Sequence, residues 1–461
     1  MLRRAAFLLA LSPVILTAQL PEATQKAVAD IVTTALAASG VPAASVAIVK
    51  DGKLAYAHAF GNAKVNPDVP ATTGMRFKIA SNSKQLAAAA ILLLAEEKKL
   101  SLDDKVSRYF PDLTRANEIT IRQLLSHTSG YRDYYPLDYV APWMAKDTTP
   151  AEIMTKWAKI PLDFDPGTRW QYSNTNYVIA GQIIEKVSRQ PLLTFLKARI
   201  LDKLNMRSAI DVTASNWSAD DPIGYTHFAT GPVRPAVPEG NNWMWAAGEL
   251  AMTASDLALW DISLINGTIL KPASLKALST EVQLNGGAGS RYALGLDVST
   301  LANGHRRWGH GGGASGFVSR NVTYPDDQMA ITVLTNCDAG PAASIAQKIE
   351  DLLLAPAADP AAAMALENAK KLYSALTDGH IEKDLLDADL TAYFTPQAIA
   401  DFSASLKAVG APTSFVQSSR QDRGGMTHRG FTVKTPLKTL RISAFITPEG
   451  RFSQFLISPV D

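Results

Sequence analysis

The chain has 461 residues, more than one hydrophobic core usually needs, so two domains are expected. Apolar residues make up 47% of the chain and charged residues 19%, which is typical of a globular protein and excludes a disordered one. The formal net charge of +2 gives no indication of nucleic acid or an acidic polymer as a partner.

Residues 1–18 have the character of a secretory signal. Arg3 and Arg4 give a positive start, and the mainly apolar segment Ala5–Ala18 follows, with a plausible cut after Ala18. This segment is too short to cross a bilayer comfortably, so a cleaved signal is favoured over an uncleaved anchor. The sequence therefore predicts a secreted or periplasmic protein with no stable membrane span. The single cysteine, Cys337, excludes an intrachain disulfide.

A helix and a hairpin are expected at the start of the first domain. Residues Glu22–Ser39 have helical character and end at Gly40, a residue that favours the left-handed conformation past a helix end. Two strands, Ala44–Val49 and Leu54–Ala59, flank an Asp-Gly pair, which is a strong hairpin signal.

The middle of the chain is mostly helical in character. Lys84–Glu97 is rich in alanine and leucine on all sides, which indicates a buried helix. Further helix starts are indicated at Ser101–Asp104 and at Thr120–Gln123, where the glutamine completes a capping box. Another, at Thr253–Asp256, opens a helix through Leu264.

Strand signals return late in this domain. Tyr292–Val298, Gly316–Tyr324 and Met329–Thr335 are short, rich in β-forming residues and separated by turns, and an amphipathic helix, Ala342–Leu354, follows. Strands at both ends of residues 20–355 predict one sheet built from both ends, antiparallel because turns join its late strands. The expected fold class is α/β (α+β), an antiparallel sheet flanked by helices with a helical subdomain beside it.

A segment rich in proline and alanine then separates a second domain. The predicted boundaries are 19–355 for the first domain, 356–361 for the linker and 362–461 for a small C-terminal α+β domain. The second domain is expected to contain a helix at Ala363–Thr377 and strands at Thr432–Val433, Leu440–Ile446 and Phe452–Ile457. No motif in it carries recognisable chemistry.

The segment Ser81–Lys84 is the first candidate for chemistry. It follows the strand-like run Met75–Ile79 and opens the buried helix. Residues i and i+3 share a helix face, so Lys84 can direct its amine at the Ser81 hydroxyl, which needs a base to become a nucleophile. A lysine removed from water has a lowered pKa and can be that base, and a helix start also places the Ser81 N–H where an oxyanion could bind. Because only two positions of Ser-x-x-Lys are fixed, its context matters more than the match.

Two further segments supply this context. Tyr172 and Asn174 follow a Pro-Gly turn two residues apart, so in an extended segment both side chains would point the same way. Tyrosine can transfer a proton beside a lysine and an asparagine amide can bind a substrate carbonyl, although Tyr172 could also be a core aromatic. Four glycines in residues 309–313 would disrupt a strand unless something approaches its backbone closely, as an acyl substrate would. A plain flexible turn is the alternative.

These three segments, in this order, resemble the serine β-lactamase-like hydrolases, which include class C β-lactamases, DD-peptidases and related esterases. The resemblance covers about residues 25–355. Phe77–Lys84 resembles the family's nucleophile helix and Pro166–Asn174 its Tyr-x-Asn segment, while Leu124–Gly130 and Leu250–Leu257 resemble further family stretches. The resemblance implies an antiparallel sheet flanked by helices, an active site between the sheet and a helical subdomain, and an acyl-enzyme mechanism.

The resemblance also gives individual positions a role. It makes Ser81 the nucleophile, Lys84 and Tyr172 its proton-transfer partners, Asn174, His310, Gly311 and Gly312 substrate-binding residues, and the backbone N–H groups of Ser81 and Gly313 the oxyanion hole. The triplet His310-Gly311-Gly312 stands where the family has Lys-Thr-Gly, whose lysine and threonine help to hold a β-lactam carboxylate. This departure predicts hydrolysis of esters or of D-amino-acid peptides and amides above hydrolysis of β-lactams. If charge limits binding, carboxylate substrates should bind better toward about pH 6, where a histidine near its ordinary pKa gains charge.

Other classes of protein have weaker support. The Gly-x-Ser-x-Gly elbow of α/β-hydrolases is absent, and the seven histidines include no His-Glu-x-x-His metal motif. We expect His127 to form a loop hydrogen bond and not to bind metal, so no metal or cofactor is predicted. The expected partner is a small-molecule or peptide substrate. Two alternatives stay open: a β-lactamase, and a non-catalytic penicillin-binding sensor that is acylated without turnover.

Overall fold

The computed structural model describes residues 19–212, 217–301, 304–354, 359 and 361–460. The predicted signal, residues 1–18, and most of the predicted linker, residues 356–361, lie outside these ranges. The chain forms two compact units that divide between Ala355 and Pro356, and each is described by itself.

The first unit contains ten described α-helices and twelve described strands. The helices are α1 (Glu22–Ser39), α2 (Ser83–Glu96), α3 (Ile121–Leu125), α4 (Pro150–Trp157), α5 (Asn174–Ser188), α6 (Leu192–Leu196), α7 (Trp245–Gly248), α8 (Ala254–Asn266), α9 (Pro272–Ser279) and α10 (Ala342–Leu353). The strands are β1 (Ala43–Lys50), β2 (Lys53–Lys64), β3 (Val69–Pro70), β4 (Phe77–Lys78), β5 (Ile210–Asp211), β6 (Tyr225–Thr226), β7 (Arg234–Pro235), β8 (Leu250–Met252), β9 (Asp297–Thr300), β10 (Arg306–Ala314), β11 (Phe317–Tyr324) and β12 (Met329–Thr335).

Seven of these strands form one antiparallel sheet in the order β3-β2-β1-β12-β11-β10-β9. Strand β1 pairs with β12, with Val46 opposite Val333, so the sheet is built from both ends of the unit as predicted. The N-terminal hairpin turns through Asp51 and Gly52, at φ angles of 51° and 68°. Both angles are positive, which is the conformation that an Asp-Gly turn favours.

Helices cover both faces of this sheet. Helices α1 and α10 pack on one face through a buried apolar cluster that includes Val32, Val333 and Ile345. Helix α8 packs on the other face, in the same core as α2, whose residues from Ser83 to Leu94 are all buried. Each buried leucine of α2 contributes about 2 kcal/mol relative to an exposed one. This burial fixes the N-terminal end of α2, where the candidate residues lie.

Helix starts were predicted with mixed success. Thr120 and Gln123 form the predicted capping box of α3, and Thr253 caps α8 as expected. The predicted start at Ser101–Asp104 is wrong, because the Asp104 carboxylate accepts a hydrogen bond from the Ser101 N–H at 2.9 Å and stabilises a turn instead.

The predicted strand Tyr292–Val298 is wrong for most of its length. Residues 292–296 are buried, but they form a turn in which the Ala293 N–H donates to the Leu296 carbonyl at 2.8 Å. The strand β9 begins only at Asp297. The apolar residues of this segment resembled those of a strand because they are buried, although they form a turn.

The second unit is a small α+β fold with its own apolar core. Its helices are α11 (Ala362–Asp378), α12 (Ala388–Tyr393) and α13 (Pro396–Val409), and its strands are β13 (Ser414–Arg423), β14 (Met426–Lys434), β15 (Thr439–Ile446) and β16 (Phe452–Pro459). The four strands form an antiparallel sheet in chain order. Among the residues that the structure describes, no helix has the length and apolar character needed to cross a membrane.

Candidate active site

Ser81 lies in a short turn between strand β4 and the central helix α2. The turn Ala80–Asn82 has 3₁₀ geometry and begins with Ala80 at a φ of 49°. This left-handed conformation costs a non-glycine residue about 1–2 kcal/mol, and such strain is often found at functional sites. The neighbouring strand β11 holds the turn in place, because the Asn82 side-chain amide donates to Ser319 Oγ at 2.8 Å. The sheet therefore fixes the position of Ser81.

Lys84 lies one helical turn after Ser81 and is fully buried. Its Nζ contacts Ser81 Oγ at 3.0 Å, Asn174 Oδ1 at 2.8 Å and the Ala247 carbonyl at 2.6 Å, so all three ammonium N–H groups have acceptors. Burial lowers the pKa of Lys84 to about 7, and the negative charge of Asp133 opposes that shift. Near neutral pH, a large fraction of Lys84 is therefore the neutral amine, with a lone pair available to the Ser81 hydroxyl.

Tyr172 lies close to both Ser81 and Lys84. Its ring lies 4.9 Å from Lys84 Nζ, and its centroid is 4.3 Å from that of the His127 ring. The hydroxyl is buried without a well-formed hydrogen bond to any group in the described part of the chain. Burial raises the pKa of Tyr172 above its ordinary value, and the adjacent Ser81 hydroxyl opposes this only in part. Tyr172 is therefore protonated in the free protein, and Lys84 is the stronger candidate for the base.

Asn174 also reaches this cluster, but not from an extended segment. The extended segment considered for Tyr172 and Asn174 does not reach Asn174, because Ser173 is extended but Asn174 is the first residue of helix α5. The carboxylate of Asp133 accepts a hydrogen bond from the Asn174 backbone N–H at 2.9 Å, which satisfies an N-terminal donor of the helix. Helix α5 therefore begins at Asn174 itself and not after it.

The Asn174 side-chain amide is held at both ends. Its Oδ1 accepts from Lys84, and its Nδ2 donates to Asp133 at 3.2 Å. One N–H of the amide is thus committed, so only the other can reach a substrate carbonyl. Asp133, which the sequence did not single out, orients Asn174 and adjusts the charge on Lys84.

The glycine-rich segment lies in strand β10, directly against the Ser81 turn. A side chain at Gly312 would place its Cβ 2.3 Å from the Ile79 carbonyl, so only glycine fits this contact. A Cβ at Gly313 would meet nothing within 4 Å, because that residue faces an open cavity. The structure thus brings Gly313 and Ser81 to one cavity, and their shared oxyanion role stays a prediction.

His310 is buried in the middle of this strand and is neutral near pH 7. Its Nε2 lies 2.7 Å from the Tyr292 hydroxyl. Burial lowers its pKa to about 4, and the charge of Lys84 adds to this effect while Asp297 opposes it. The expectation that His310 gains charge near pH 6 is therefore wrong, because that expectation assumed an exposed histidine.

The His127 ring packs against the ring of Tyr172. Its Nδ1 accepts a hydrogen bond from the Ser173 N–H at 3.2 Å, which is the loop hydrogen bond expected from the sequence. Its ring packs against those of Tyr172, Tyr177 and Tyr292, and burial lowers its pKa well below the ordinary value. A neutral His127 thus fixes the ring plane of Tyr172.

A cavity of about 1080 Å³ opens over these residues. All the predicted site residues except the buried Lys84 line it, namely Ser81, Tyr172, Asn174, His310, Gly311, Gly312 and Gly313. Exposed apolar side chains form its outer rim, among them Leu137, Tyr139, Phe228 and Val237. Within the described ranges, no group of three or more histidine, cysteine or acidic side chains could hold a metal ion.

The pH dependence of turnover tests the base. We expect kcat/KM to fall about tenfold per pH unit below a pKa near 7, because only neutral Lys84 can accept the Ser81 proton. Replacing Asp133→Asn removes the negative charge that raises this pKa, so the acidic limb should move to lower pH. Asp30→Asn, on the exposed side of α1, is the control and should leave the profile unchanged. A flat profile between pH 5 and 8, or an upward move in Asp133→Asn, would contradict this assignment.

The antiparallel sheet, the contact between Ser81 and the buried Lys84, and the glycine strand facing them define a hydrolase of the serine β-lactamase fold. Residues 28–355 match the family model described as Beta-lactamase, so the chain belongs to that family. The predicted family and fold are confirmed.

Individual relatives place the chain within this family. It is 29% identical over 310 residues to penicillin-binding protein 4* of Bacillus subtilis, a match that covers 63% of this chain and 67% of that protein. A D-stereospecific amidohydrolase from Streptomyces sp. is 28% identical, with a TM-score of 0.61 over 72% of this chain and 99% of that one. An octameric penicillin-binding protein homologue from Pyrococcus abyssi, 22% identical, shares the fold over 95% of this chain and 96% of that chain, with a TM-score of 0.64. The chain spans about two thirds of the length of the curated relatives it matches.

Proposed function

We propose that this protein is an exported serine hydrolase that cleaves D-amino-acid amides, peptides or the corresponding esters through an acyl-enzyme on Ser81. One observation carries the proposal: the buried Lys84 amine lies 3.0 Å from Ser81 Oγ and has a pKa of about 7. A serine hydroxyl with a neutral amine at hydrogen-bond distance is an activated nucleophile.

The acylation step follows from these contacts. Neutral Lys84 accepts the Ser81 proton while Oγ forms a bond to the substrate carbonyl carbon, and the backbone N–H groups of Ser81 and Gly313 hold the resulting oxyanion. The tetrahedral intermediate then breaks its bond to the leaving nitrogen or oxygen. Tyr172, kept protonated by burial, gives its proton to that atom and regains one from the Lys84 ammonium.

In deacylation, water is the nucleophile and Ser81 is the leaving group. A water molecule adds to the acyl carbonyl, with neutral Lys84 again as the acceptor of its proton. Collapse releases the acid and returns the proton to Ser81 Oγ, so that the free enzyme is restored.

Two features of the cavity favour amides and esters over β-lactams. The position of the family's cationic lysine is taken by the neutral, buried His310, and no threonine hydroxyl is present at Gly311. The apolar rim around Leu137 and Tyr139 suits a hydrophobic acyl group. The similarity to an amidohydrolase named for D-stereospecificity supports the choice of D-substrates.

Export is the second element of the proposal. It depends on the positively charged and apolar residues 1–18 of the sequence. Amino-terminal sequencing of the protein recovered outside the cytoplasm should begin at Gln19, and a protein retained in the cytoplasm with Met1 intact would refute it.

A panel of matched substrates tests the reaction. We expect D-phenylalanine amide and its methyl ester to be hydrolysed with a kcat/KM at least ~10-fold above that of the L-amide, since one misplaced substituent costs about 1–3 kcal/mol. Nitrocefin should be turned over more slowly than either D-substrate. Rapid nitrocefin hydrolysis without amide or ester turnover would identify a β-lactamase instead. Acylation that persists for hours on every substrate would identify a penicillin-binding sensor.

A further inference from the structure

The second unit contains a cavity of its own, to which the proposed reaction gives no role. Its volume is about 630 Å³, which is within the range of small-molecule binding sites. Helix α11, the end of helix α13 and the start of strand β13 supply its lining, so it lies wholly within the second unit. It shares no lining residue with the cavity around Ser81.

Two buried side chains, Tyr373 and Leu406, form the inner end of this cavity. The other lining residues are half-buried or exposed, so these two lie deepest. The Phe415 ring meets the Tyr373 ring edge to face, with the ring centroids 5.7 Å apart. The inner end thus offers apolar and aromatic surface that an apolar group of a ligand can cover.

The hydroxyl of Tyr373 is the polar group of this inner end. The residue is only 4% exposed, and its hydroxyl has no hydrogen-bond partner within the described ranges of the chain. Burial raises the pKa of Tyr373, so the hydroxyl is protonated at neutral pH and can donate. Because buried polar groups are nearly always hydrogen-bonded, this donor indicates a ligand that brings an acceptor.

The outer part of the cavity is positively charged. Its described lining includes Lys370 and Lys407 and no aspartate or glutamate. Lys370 also contacts Glu367 at 2.7 Å, but both side chains are exposed, so this ion pair is weak. Lys407 is in the last turn of α13, whose partial negative charge offsets part of that of the lysine. The lining therefore attracts an anion moderately and repels a cation.

We propose that this cavity binds a small amphipathic carboxylate that has an apolar group and a carbonyl oxygen, the composition of an N-acylated amino acid. The apolar group packs against Leu406 and Phe415, and the carbonyl oxygen accepts the hydrogen bond of Tyr373. The carboxylate lies beside Lys370 and Lys407. The second unit is thus a ligand-binding module, and this inference does not depend on the proposed function of the first unit.

The test compares N-acetyl-L-phenylalanine with N-acetyl-L-phenylalaninol, in which a neutral alcohol replaces the carboxylate. Binding to the full-length protein is measured by calorimetry at pH 7.5, and the carboxylate should bind at least ~4-fold more tightly. Lys370→Gln and Lys407→Gln should each reduce this advantage about 2- to 5-fold, the scale of an exposed ion pair. Tyr373→Phe should weaken both compounds about 5-fold, the scale of one hydrogen bond. Lys371→Gln, at an exposed position of α11 outside the lining, is the control and should change neither affinity.

Photochemical crosslinking locates the site. N-acetyl-p-benzoyl-L-phenylalanine keeps the acetyl group and the carboxylate, and irradiation with the full-length protein should give adducts in residues 370–377 or 406–415. Ser374→Trp, which fills the cavity from an exposed position, should prevent these adducts. Adducts confined to the first unit would overturn the inference. Equal affinity for the carboxylate and the alcohol, or unchanged binding in Tyr373→Phe, would overturn it as well.

Discussion

Replacing Ser81→Ala should abolish covalent labelling by a fluorophosphonate and reduce hydrolysis at least ~10⁴-fold, the scale of loss when a nucleophile is removed from a catalytic unit. The expectation follows from the position of the hydroxyl, 3.0 Å from the Lys84 amine and at the wall of the cavity. Intact mass should show one adduct on the unmodified protein and none on the variant.

Ser315 is the matched control for this experiment. Its side chain lines the same cavity, but its hydroxyl donates to the Val237 carbonyl instead of facing the lysine. Ser315→Ala should therefore still be labelled at Ser81. An adduct that survives in Ser81→Ala, or that moves to Ser315, would show that another group is the nucleophile.

Losses at Lys84 and Tyr172 are expected to be large and strongly non-additive. Lys84→Met removes the amine and leaves a side chain of similar volume, and Tyr172→Phe removes only the hydroxyl. Each variant should lower kcat at least ~10²-fold because general acid–base catalysis is lost. The double variant should be little worse than either single one, since both residues move the same proton. Steady-state kinetics on one ester substrate gives all three values.

Tyr177→Phe provides the control for a tyrosine close to the lysine. Its ring lies 5.4 Å from Lys84 Nζ, but its hydroxyl donates to the Leu125 carbonyl at 2.8 Å and does not reach Ser81. Its loss should reduce stability by about 1 kcal/mol and leave kcat nearly unchanged. Near-normal turnover in Tyr172→Phe would show that Tyr172 is the core aromatic that the sequence also allowed.

Local sequence signals were enough to predict much of the site. The three-residue separation of Ser81 and Lys84 places them on one helix face, and the structure brings them together. The glycines of β10 were expected to mark the close approach of an acyl substrate, which stays a prediction; the structure shows that at Gly312 the Ile79 carbonyl beside the Ser81 turn also approaches closely. Both features depend on short stretches of the sequence, namely the three-residue spacing of Ser81 and Lys84 and the run of glycines in β10.

The residues that the sequence did not reveal act over long separations. Asp133 meets Asn174 across 41 positions, and Tyr292 meets His310 across 18. Neither stands in a motif, so only the assembled fold shows what it contacts. The pKa of His310 was misjudged for a related reason, because the sequence does not show that this side chain is buried against Tyr292.

The buried lysine has a consequence for the stability of the protein. In the unfolded chain Lys84 has an ordinary pKa near 10.4, whereas in the folded protein it is about 7. Between these values the unfolded state binds more protons, so this group makes folding more favourable as the pH rises and opposes folding most at or below pH 7. The opposing free energy is on the order of a few kcal/mol, a large share of a typical domain's stability. Lys84→Met, the replacement expected to remove most of the activity, should therefore unfold at a higher temperature at neutral pH, because a methionine at this buried position has no charge to lose from water.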